Sequence, residues 1–122
     1  MKPFDILRPA RWKSYGTVAV AGDSMSPTYE DGDWLVVEWQ KGSGQATYVL
    51  QHVLVIERES RPGIYLIKRY VRTDGEKYWV EGDNPKSIDS REWGAVSREE
   101  IIGRVLFKVR KGNSRRGRRL AR

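Results

Sequence analysis

Residues 21–28, AGDSMSPT, follow the short apolar run Val18–Ala21 and place Ser24 between a glycine and a proline. A serine in this setting is a candidate nucleophile, and a nucleophilic serine needs an activating base within hydrogen-bond reach. The chain has one histidine and no cysteine. Histidine, the usual base for a nucleophilic serine, is therefore present only once. The question is which side chain takes the proton of Ser24.

Composition limits the class of protein. The 122 residues suit one domain with a modest core. The absence of cysteine excludes disulfides, a thiolate nucleophile and a Cys-based zinc site. No apolar run approaches the roughly 18 residues of a membrane span, and residues 1–12, with one acid and two prolines, lack the apolar core of a secretory signal. We expect a cytoplasmic protein without a transmembrane segment.

The positive charge is concentrated at one end of the chain. Eight of the 23 Lys and Arg residues lie in residues 108–122, which contain no acid, whereas the rest of the chain has 15 basic and 16 acidic residues. We predict a disordered, solvated tail at 110–122, and docking to an anionic membrane surface is its functional alternative. Nucleic acid is not an expected partner, because nucleic-acid readers usually also carry basic and aromatic residues over the fold.

Short strand-like segments alternate with Gly and Pro turns, and little of the chain has a helical pattern. This is typical of a mainly β domain with barrel-like, folded antiparallel sheets. The predicted strands are 17–21, 34–39, 48–57, 63–72, 77–81 and 103–109. Asp74-Gly75 predicts a tight hairpin, and the capping box from Ser97 to Glu100 predicts one short helix near 97–102.

Two side chains compete as the base for Ser24. His52 lies in an apolar strand, and no acid is tied to it as a Ser-His-Asp triad requires. Lys68 shares one strand face with apolar neighbours such as Leu66, and desolvation against an apolar face lowers the pKa of a lysine. Periodicity alone leaves open a structural lysine whose amine reaches solvent.

The polar loop 82–94, GDNPKSIDSREWG, is dense in short hydrogen-bonding side chains and also contains Arg91. We predict that an Asp–Arg pair two residues apart braces it. A braced loop of this kind presents a hydroxyl to a neighbouring lysine and keeps the amine aimed.

Three sequence boxes occur in order along the chain. They are Ser-Met-x-Pro-Thr at 24–28, Lys-Arg at 68–69 after an apolar strand, and Gly-Asp-Asn…Ser-x-Asp-Ser-Arg-x-x-Gly at 82–94. Together they resemble the boxes of type I signal peptidases, serine endopeptidases with a Ser/Lys dyad. The resemblance covers 17–109 and implies a catalytic domain of the signal peptidase fold there. We predict an N-terminal cap segment at 1–16, whose apolar side chains need cover, and the charge count predicts the basic tail at 110–122.

The resemblance also implies a role for each matching residue. Ser24 corresponds to the nucleophile and Lys68 to the general base, with the Ser24 backbone N–H as an oxyanion donor. Ser87 corresponds to the serine that orients the lysine, and Met25 to a residue beside the substrate pocket. The residues that correspond to bracing positions are Asp83, Asp89 and Arg91. No metal or cofactor is implied.

The chain departs from the family pattern at several positions. Gly22 stands where many bacterial members carry a hydroxyl residue that donates to the oxyanion. The loop before Ser87 is one residue shorter than usual, and 50–52, Leu-Gln-His, replace a second Gly-Asp. Neither a transmembrane anchor nor a large inserted domain is found. Two further serines, Ser26 and Ser90, do not match the nucleophile.

The missing anchor points to a subgroup. Small, anchor-free relatives include the maturation proteases of nickel-type superoxide dismutase, and VAVAGDSMSPT at 18–28 is similar to that subgroup. The resemblance implies a protease that removes an N-terminal leader peptide from this superoxide dismutase. The alternative within the family is a general type I signal peptidase that cleaves exported preproteins.

Three other classes are weighed against this interpretation. GDSL-type esterases need an Asp-x-x-His pair near the C-terminus, whereas Val49 stands three residues before the one histidine. Self-cleaving SOS repressors share the dyad but need a domain or cleavable arm before the serine, and 23 residues precede Ser24. An inactive protease fold that serves as a binding module with a basic docking tail is disfavoured because the dyad residues are present.

Overall fold

A computed structural model describes residues 14–40, 48–110 and 119–122 of the chain. Residues 1–13 of the predicted cap segment lie outside the described residues, and residues 14–16 already belong to the first strand. Residues 111–118 of the predicted tail also lie outside them.

The described chain is mainly β, which confirms the predicted fold class. The strands are β1 (Ser14–Val20), β2 (Trp34–Trp39), β3 (Val53–Glu57), β4 (Tyr65–Asp74), β5 (Lys77–Glu81), β6 (Ile101–Arg110) and β7 (Arg119–Ala121). One short helix, α1 (Ser90–Trp93), follows β5. The predicted hairpin joins β4 to β5, where Asp74 pairs with Lys77 and Gly75 adopts a φ of +63°, a value at which glycine is favoured.

The strands form one mixed sheet in the order β3-β6-β2-β1-β7-β4-β5. Strand β3 also pairs with β4, so six strands close into a ring and β5 extends from β4. The pairings of β7 with β1 and with β4 are parallel, whereas the other pairings in the described sheet are antiparallel. The sheet is therefore ring-like and mixed, not a set of purely antiparallel sheets.

The end of the basic tail differs from the prediction of disorder. Residues 119–121 form β7 between β1 and β4, and Ala121 is completely buried. The prediction rested on the positive charge of this segment, but Arg119 and Arg122 flank an apolar Leu-Ala pair that completes the ring. Basic composition by itself does not prevent a short segment from pairing with two strands that both leave an open edge.

The helix predicted near 97–102 is only a single 3₁₀ turn, Arg98–Glu100. The capping box is present, since the Glu100 carboxylate accepts a hydrogen bond from the Ser97 N–H at 3.1 Å. The next residues, Ile101 and Ile102, are buried and begin β6. Their branched side chains favour a strand between two packed layers over another helical turn.

Two apolar clusters form the core. The larger one takes residues from all six ring strands and so fills the ring: Val18, Val20, Met25, Leu35, Val37, Val53, Val55, Ile67, Ile102, Val105 and Ala121. The smaller one lies on the other face of β3 and β4, against β5: Leu54, Ile56, Tyr70, Val80, Val96 and Ile101. Alternate residues of β3 enter the two clusters, as a strand that is buried on both faces requires.

A buried ion pair joins β2 to β6. Glu38 is almost fully buried, and its carboxylate accepts hydrogen bonds from Arg104 Nε and Gln40 Nε2, each at 2.8 Å. Glu38 and Arg104 are also register partners on the two strands. A buried carboxylate that loses a charged donor is costly to keep in the folded state.

Replacing Arg104 by methionine tests this pair, because the substitution keeps an apolar stem and removes the charged donor. We expect Arg104→Met to lower the free energy of unfolding by about 1–3 kcal/mol, measured by urea denaturation. Lys77→Met, at an exposed position of β5, makes the same charge change and is the control. An Arg104→Met loss no larger than that of Lys77→Met would contradict the role of the pair.

Candidate active site

The two strands that precede Ser24 and Lys68 run in the same direction. Strands β1 and β4 both pair in parallel with β7, which lies between them. Strand β1 leads directly into the turn that holds Ser24, and Lys68 lies on β4. Ala121 is the register partner of Val20 on one side and of Tyr65 on the other. Ser24 and Lys68 follow these two partners in the chain, so both predicted dyad residues lie beyond the same end of β7.

Backbone hydrogen bonds fix how far each strand extends at this end. The Ala21 N–H donates to the Ala121 carbonyl at 2.8 Å, and the Ile67 N–H donates to the Arg122 carbonyl at 2.7 Å. Ser24 is three residues beyond the first donor, and Lys68 is one residue beyond the second.

Lys68 is enclosed by protein, with 3% of its surface exposed. It is the register partner of the fully buried Leu54 on β3. Burial lowers the pKa of Lys68 to about 8, although the Asp89 carboxylate acts to raise it, and the Arg91 guanidinium lowers it. The amine also donates to the carbonyl of Arg122 at 3.4 Å. The Lys68 amine therefore loses its proton at mildly alkaline pH, well below the usual range of a lysine.

Gly82 lies where the predicted site residues meet. The β4–β5 register pairs Arg69 with Glu81, and these two residues are the chain neighbours of Lys68 and Gly82. A Cβ atom added at Gly82 would overlap the Ser24 carbonyl oxygen and the Ser87 side chain. The backbones of the Ser24 turn and of β5 can approach this closely only because residue 82 has no side chain.

The Ser24 turn is tied to the loop 82–94 by Asn84. The Asn84 N–H donates to the Ser24 carbonyl at 3.0 Å, and its side-chain Nδ2 donates to the Asp23 carbonyl at 3.1 Å. Ser24 itself is half-buried. Gly22, before it, adopts a φ of +93° and donates its N–H to Asp31 Oδ1 at 2.8 Å. A hydroxyl residue at position 22 would be strained at that φ.

The Ser87 hydroxyl is buried, and no residue in the described chain forms a standard hydrogen bond with it. It lies against Gly82 and close enough to Asp89 to lower the pKa of that carboxyl. A buried hydroxyl that lacks a good hydrogen bond costs free energy. A hydrogen bond from the Ser87 hydroxyl to a group that enters the site, or to a neighbouring amine that rotates toward it, is therefore favoured.

Asp89 and Arg91 form the pair predicted to brace the loop. Arg91 Nη2 lies 2.6 Å from Asp89 Oδ2, and Arg91 Nε lies 2.9 Å from Oδ1. The Gly82 N–H also donates to the completely buried Asp89 carboxylate at 2.7 Å. Burial raises the pKa of Asp89, but the hydrogen bonds from Arg91 and Gly82 outweigh it, so this pKa is lowered overall and the group is charged at neutral pH.

Asp83 braces the other side of the site through a residue to which the sequence assigned no role. Arg69 makes a two-point contact with Asp83, with Nε to Oδ1 at 2.8 Å and Nη2 to Oδ2 at 2.7 Å. Thr28 also donates to Asp83 Oδ2, which links the Ser24 turn to the same pair. The hydrogen bond from Arg69 is the main reason that the pKa of Asp83 is lowered.

The remaining residues singled out in the sequence lie in the core, in backbone hydrogen bonds or beside the Ser24 turn. Met25 is fully buried in the larger core cluster. His52 precedes β3, and its carbonyl accepts from the Tyr70 N–H at 2.9 Å. Ser90 Oγ accepts from the Val80 N–H at 2.9 Å and is buried. Ser26 is half-buried beside Ser24.

Sequence reasoning missed Arg69, Asn84 and the carbonyl of Arg122 as parts of the site. Arg69 and Asn84 stand inside the quoted boxes, so their positions were a usable signal. The approach of Arg122 to Lys68 depends on a pairing 54 residues apart in sequence, and no local pattern indicates it.

The described residues contain no cluster of three or more His, Cys, Asp or Glu side chains arranged to hold a metal ion. No helix in the same part of the chain has the length and apolarity to cross a bilayer.

Gly82→Ala tests the close approach around residue 82. The new methyl group would meet backbone and a buried side chain, so we expect the free energy of unfolding to fall by about 1–3 kcal/mol, measured by urea denaturation. Gly63→Ala has open space and a φ of +85°, so it reports the cost of backbone strain alone, about 1 kcal/mol. A smaller loss at position 82 than at position 63 would contradict the packing.

Comparison with known families gives one match. Residues 5–106 match the Peptidase S24-like family, a range that includes the Ser24 turn, Lys68 and the loop 82–94. No curated protein matches the chain at significant similarity. The family match supports a serine-peptidase fold, and it does not single out the type I signal peptidases. With this match over most of its length and with the fold described above, the chain belongs to the Peptidase S24-like family.

Proposed function

We propose that the protein is a serine endopeptidase in which Lys68 activates Ser24. The observation that carries the proposal is the buried amine of Lys68, with a pKa lowered to about 8, on a strand that runs parallel to the one leading into Ser24. A lysine can act as a general base only when it is neutral, and desolvation is the usual means of making it so. Membership of the Peptidase S24-like family supports the same class of chemistry.

In the proposed reaction, neutral Lys68 Nζ accepts the proton of Ser24 Oγ as this oxygen attacks the carbonyl carbon of the scissile peptide. The ammonium then gives its proton to the leaving amine, and the C–N bond breaks to leave an acyl-enzyme. Lys68 next takes a proton from water as the water oxygen attacks the ester carbon, and the ammonium returns this proton to Ser24 Oγ as the ester C–O bond breaks and the acid product leaves. The Ser24 N–H is the proposed oxyanion donor, since Gly22 has no side chain to contribute.

The charges around Lys68 affect how readily its amine loses a proton, which this reaction requires. Asp89 opposes the deprotonation of Lys68, and Arg91 offsets that effect by pairing with Asp89. Ser87 is the proposed positioning residue for the amine, because its buried hydroxyl lies beside Gly82 and acts on the Asp89 carboxyl, the group that also acts on the Lys68 amine.

The proposed substrate is a protein with an N-terminal leader, and the precursor of nickel-type superoxide dismutase is our first candidate. The support is the resemblance of 18–28 to that subgroup of proteases. General preprotein cleavage is the alternative substrate class. The proposed compartment is the cytoplasm, where the basic residues near 110–122 would favour an anionic membrane surface.

Co-expression with a leader-bearing nickel-type superoxide dismutase tests the substrate. We expect N-terminal sequencing to show a single cleavage that removes the leader, and no cleavage with Ser24→Ala. Cleavage of an unrelated exported preprotein, with the dismutase precursor left intact, would favour the general signal peptidase instead.

Two substitutions test the dyad. We expect Ser24→Ala and Lys68→Met each to reduce turnover by roughly 10³-fold or more, because each removes a reacting atom. Melting curves would show that both variants stay folded. Turnover retained by Lys68→Met would exclude Lys68 as the base.

The pH dependence gives a second test of Lys68. Because the amine must be neutral, kcat/KM should rise with pH through about 8, and roughly one tenth of the enzyme is active at pH 7. The folded pKa lies below the unfolded value of 10.5, so between about pH 8 and 10.5 only the unfolded state binds this proton and the free energy of unfolding rises with pH. Lys68→Met should lack this rise, and an activity maximum near pH 5 would contradict a lysine base.

Ser87→Ala tests the positioning role. We expect kcat to fall by about 10- to 100-fold with little change in KM, since the substrate still binds while the amine is no longer aimed. Ser87→Thr, which keeps the hydroxyl, should recover part of the loss. A rise in KM with unchanged kcat would show that Ser87 contacts the substrate rather than the lysine.

A further inference from the structure

Residues 119–122 fill the gap between the two strands that lead into the candidate active site. On one side, the Ala21 N–H donates to the Ala121 carbonyl. On the other side, the Arg122 N–H donates to the Tyr65 carbonyl at 2.9 Å and the Ile67 N–H donates to the Arg122 carbonyl. The segment therefore lies as an extended strand with backbone hydrogen bonds to both of its neighbours.

The same segment ends at the catalytic lysine. The carbonyl oxygen of Arg122 accepts from the Ile67 N–H at 2.7 Å and lies 3.4 Å from Lys68 Nζ. Ala121, one residue earlier, is completely buried in the larger core cluster with Met25. The backbone of the protein's own residue 122 thus lies beside the amine that we propose as the base.

We propose that residues 119–122 act as a built-in competitor, and that an extended peptide substrate binds between β1 and β4 only when this segment leaves. A peptide that adds to a sheet needs free backbone donors and acceptors at the strand edge. Here residues 119–122 already use the Ala21 and Ile67 N–H groups and the Tyr65 carbonyl. The proposal rests on the proposed function, because it takes the end of β7 to be the place where a peptide carbonyl meets Ser24 and Lys68.

The segment is suited to exchange with a second strand. It is three residues long, and its pairing with β4 is a single register pair, Tyr65 with Ala121. Arg119 lies over the Trp39 ring at 5.4 Å, a contact of modest strength at an exposed side chain. Short terminal strands open at lower free energy than core strands do, and the apparent affinity for a peptide is reduced by the fraction of molecules that are closed.

The competing interpretation makes β7 a permanent part of the ring. In that case a substrate peptide binds elsewhere, and weakening β7 lowers stability without exposing the edges of β1 and β4.

Arg122→Pro separates the two interpretations, because proline removes the N–H that donates to Tyr65 and leaves Ser24 and Lys68 unchanged. Arg122→Ala keeps that N–H and removes only an exposed side chain, so it is the matched control. The peptide probe is acetyl-Arg-Arg-Leu-Ala-Arg-amide, the sequence of residues 118–122. Hydrogen exchange of the Ala21 and Ile67 amides reports whether the strand edges are occupied, without any need for catalysis.

We expect Arg122→Pro to speed exchange at the Ala21 and Ile67 amides about five-fold or more, the change for one lost hydrogen bond of ordinary strength. Excess peptide should restore their protection, and Arg122→Ala should behave like the wild type. In the wild-type protein, excess peptide should speed exchange at the Arg122 amide, which tests the proposal even if Arg122→Pro fails to fold. Exchange at these amides that the peptide leaves unchanged in both proteins would overturn it.

Covalent labelling connects the segment to catalysis. Acetyl-Arg-Leu-Ala diphenyl phosphonate, which must enter as an extended strand, should label Ser24 about five-fold faster in Arg122→Pro than in Arg122→Ala. A small fluorophosphonate, which needs no strand pairing, should label both at the same rate. Equal rates with the peptidyl probe would overturn the competitor role. If neither probe labels Ser24 in any variant, the proposed function fails, and hydrogen exchange still decides how β7 behaves.

Discussion

The candidate site depends on one enclosed amine. Lys68 lies on a strand that is buried on both faces, and the loss of hydration there outweighs the attraction of Asp89. An amine in water would hold its proton at pH 7 and could not accept another. The fold therefore uses a desolvation cost, which ordinarily destabilises a protein, to make a base from a side chain that is otherwise an acid.

Two ion pairs keep the loop 82–94 in place around that amine. The Asp89–Arg91 pair lies within the loop, and the Arg69–Asp83 pair joins the loop to β4. Both carboxylates have lowered pKa values, so these contacts persist across the pH range in which Lys68 changes charge. The site can thus change its protonation state at one group while its supports stay fixed, which is what a positioned base requires.

Much of the fold was predictable because it is written in local patterns. Alternating apolar residues and Gly or Pro turns gave six of the seven described strands, and the face shared by Leu66 and Lys68 pointed to a desolvated amine. Strand β7 was not predictable, since its pairing depends on a gap between two strands that are distant in sequence. The basic residues around it suggested a solvated tail. Within the loop 82–94, the pair of Asp89 with Arg91 was predictable because the two residues are only two positions apart. The contact of Arg69 with Asp83 was not, because it depends on how β4 and the loop meet in space.

Strand β7 links the stability of the ring to the entrance of the candidate site. The strand places Ala121 in the core and joins β1 to β4, so every described strand of the ring has a neighbour on both sides. The backbone of residues 121–122 also accepts hydrogen bonds from Ala21, three residues before Ser24, and from Ile67, one residue before Lys68. A sheet that closes on itself protects its edges from unwanted pairing, whereas a protease that binds extended peptides needs an open edge. In this chain both demands fall on one short strand, and the three residues of β7 are few enough for a substrate strand of similar length to replace them.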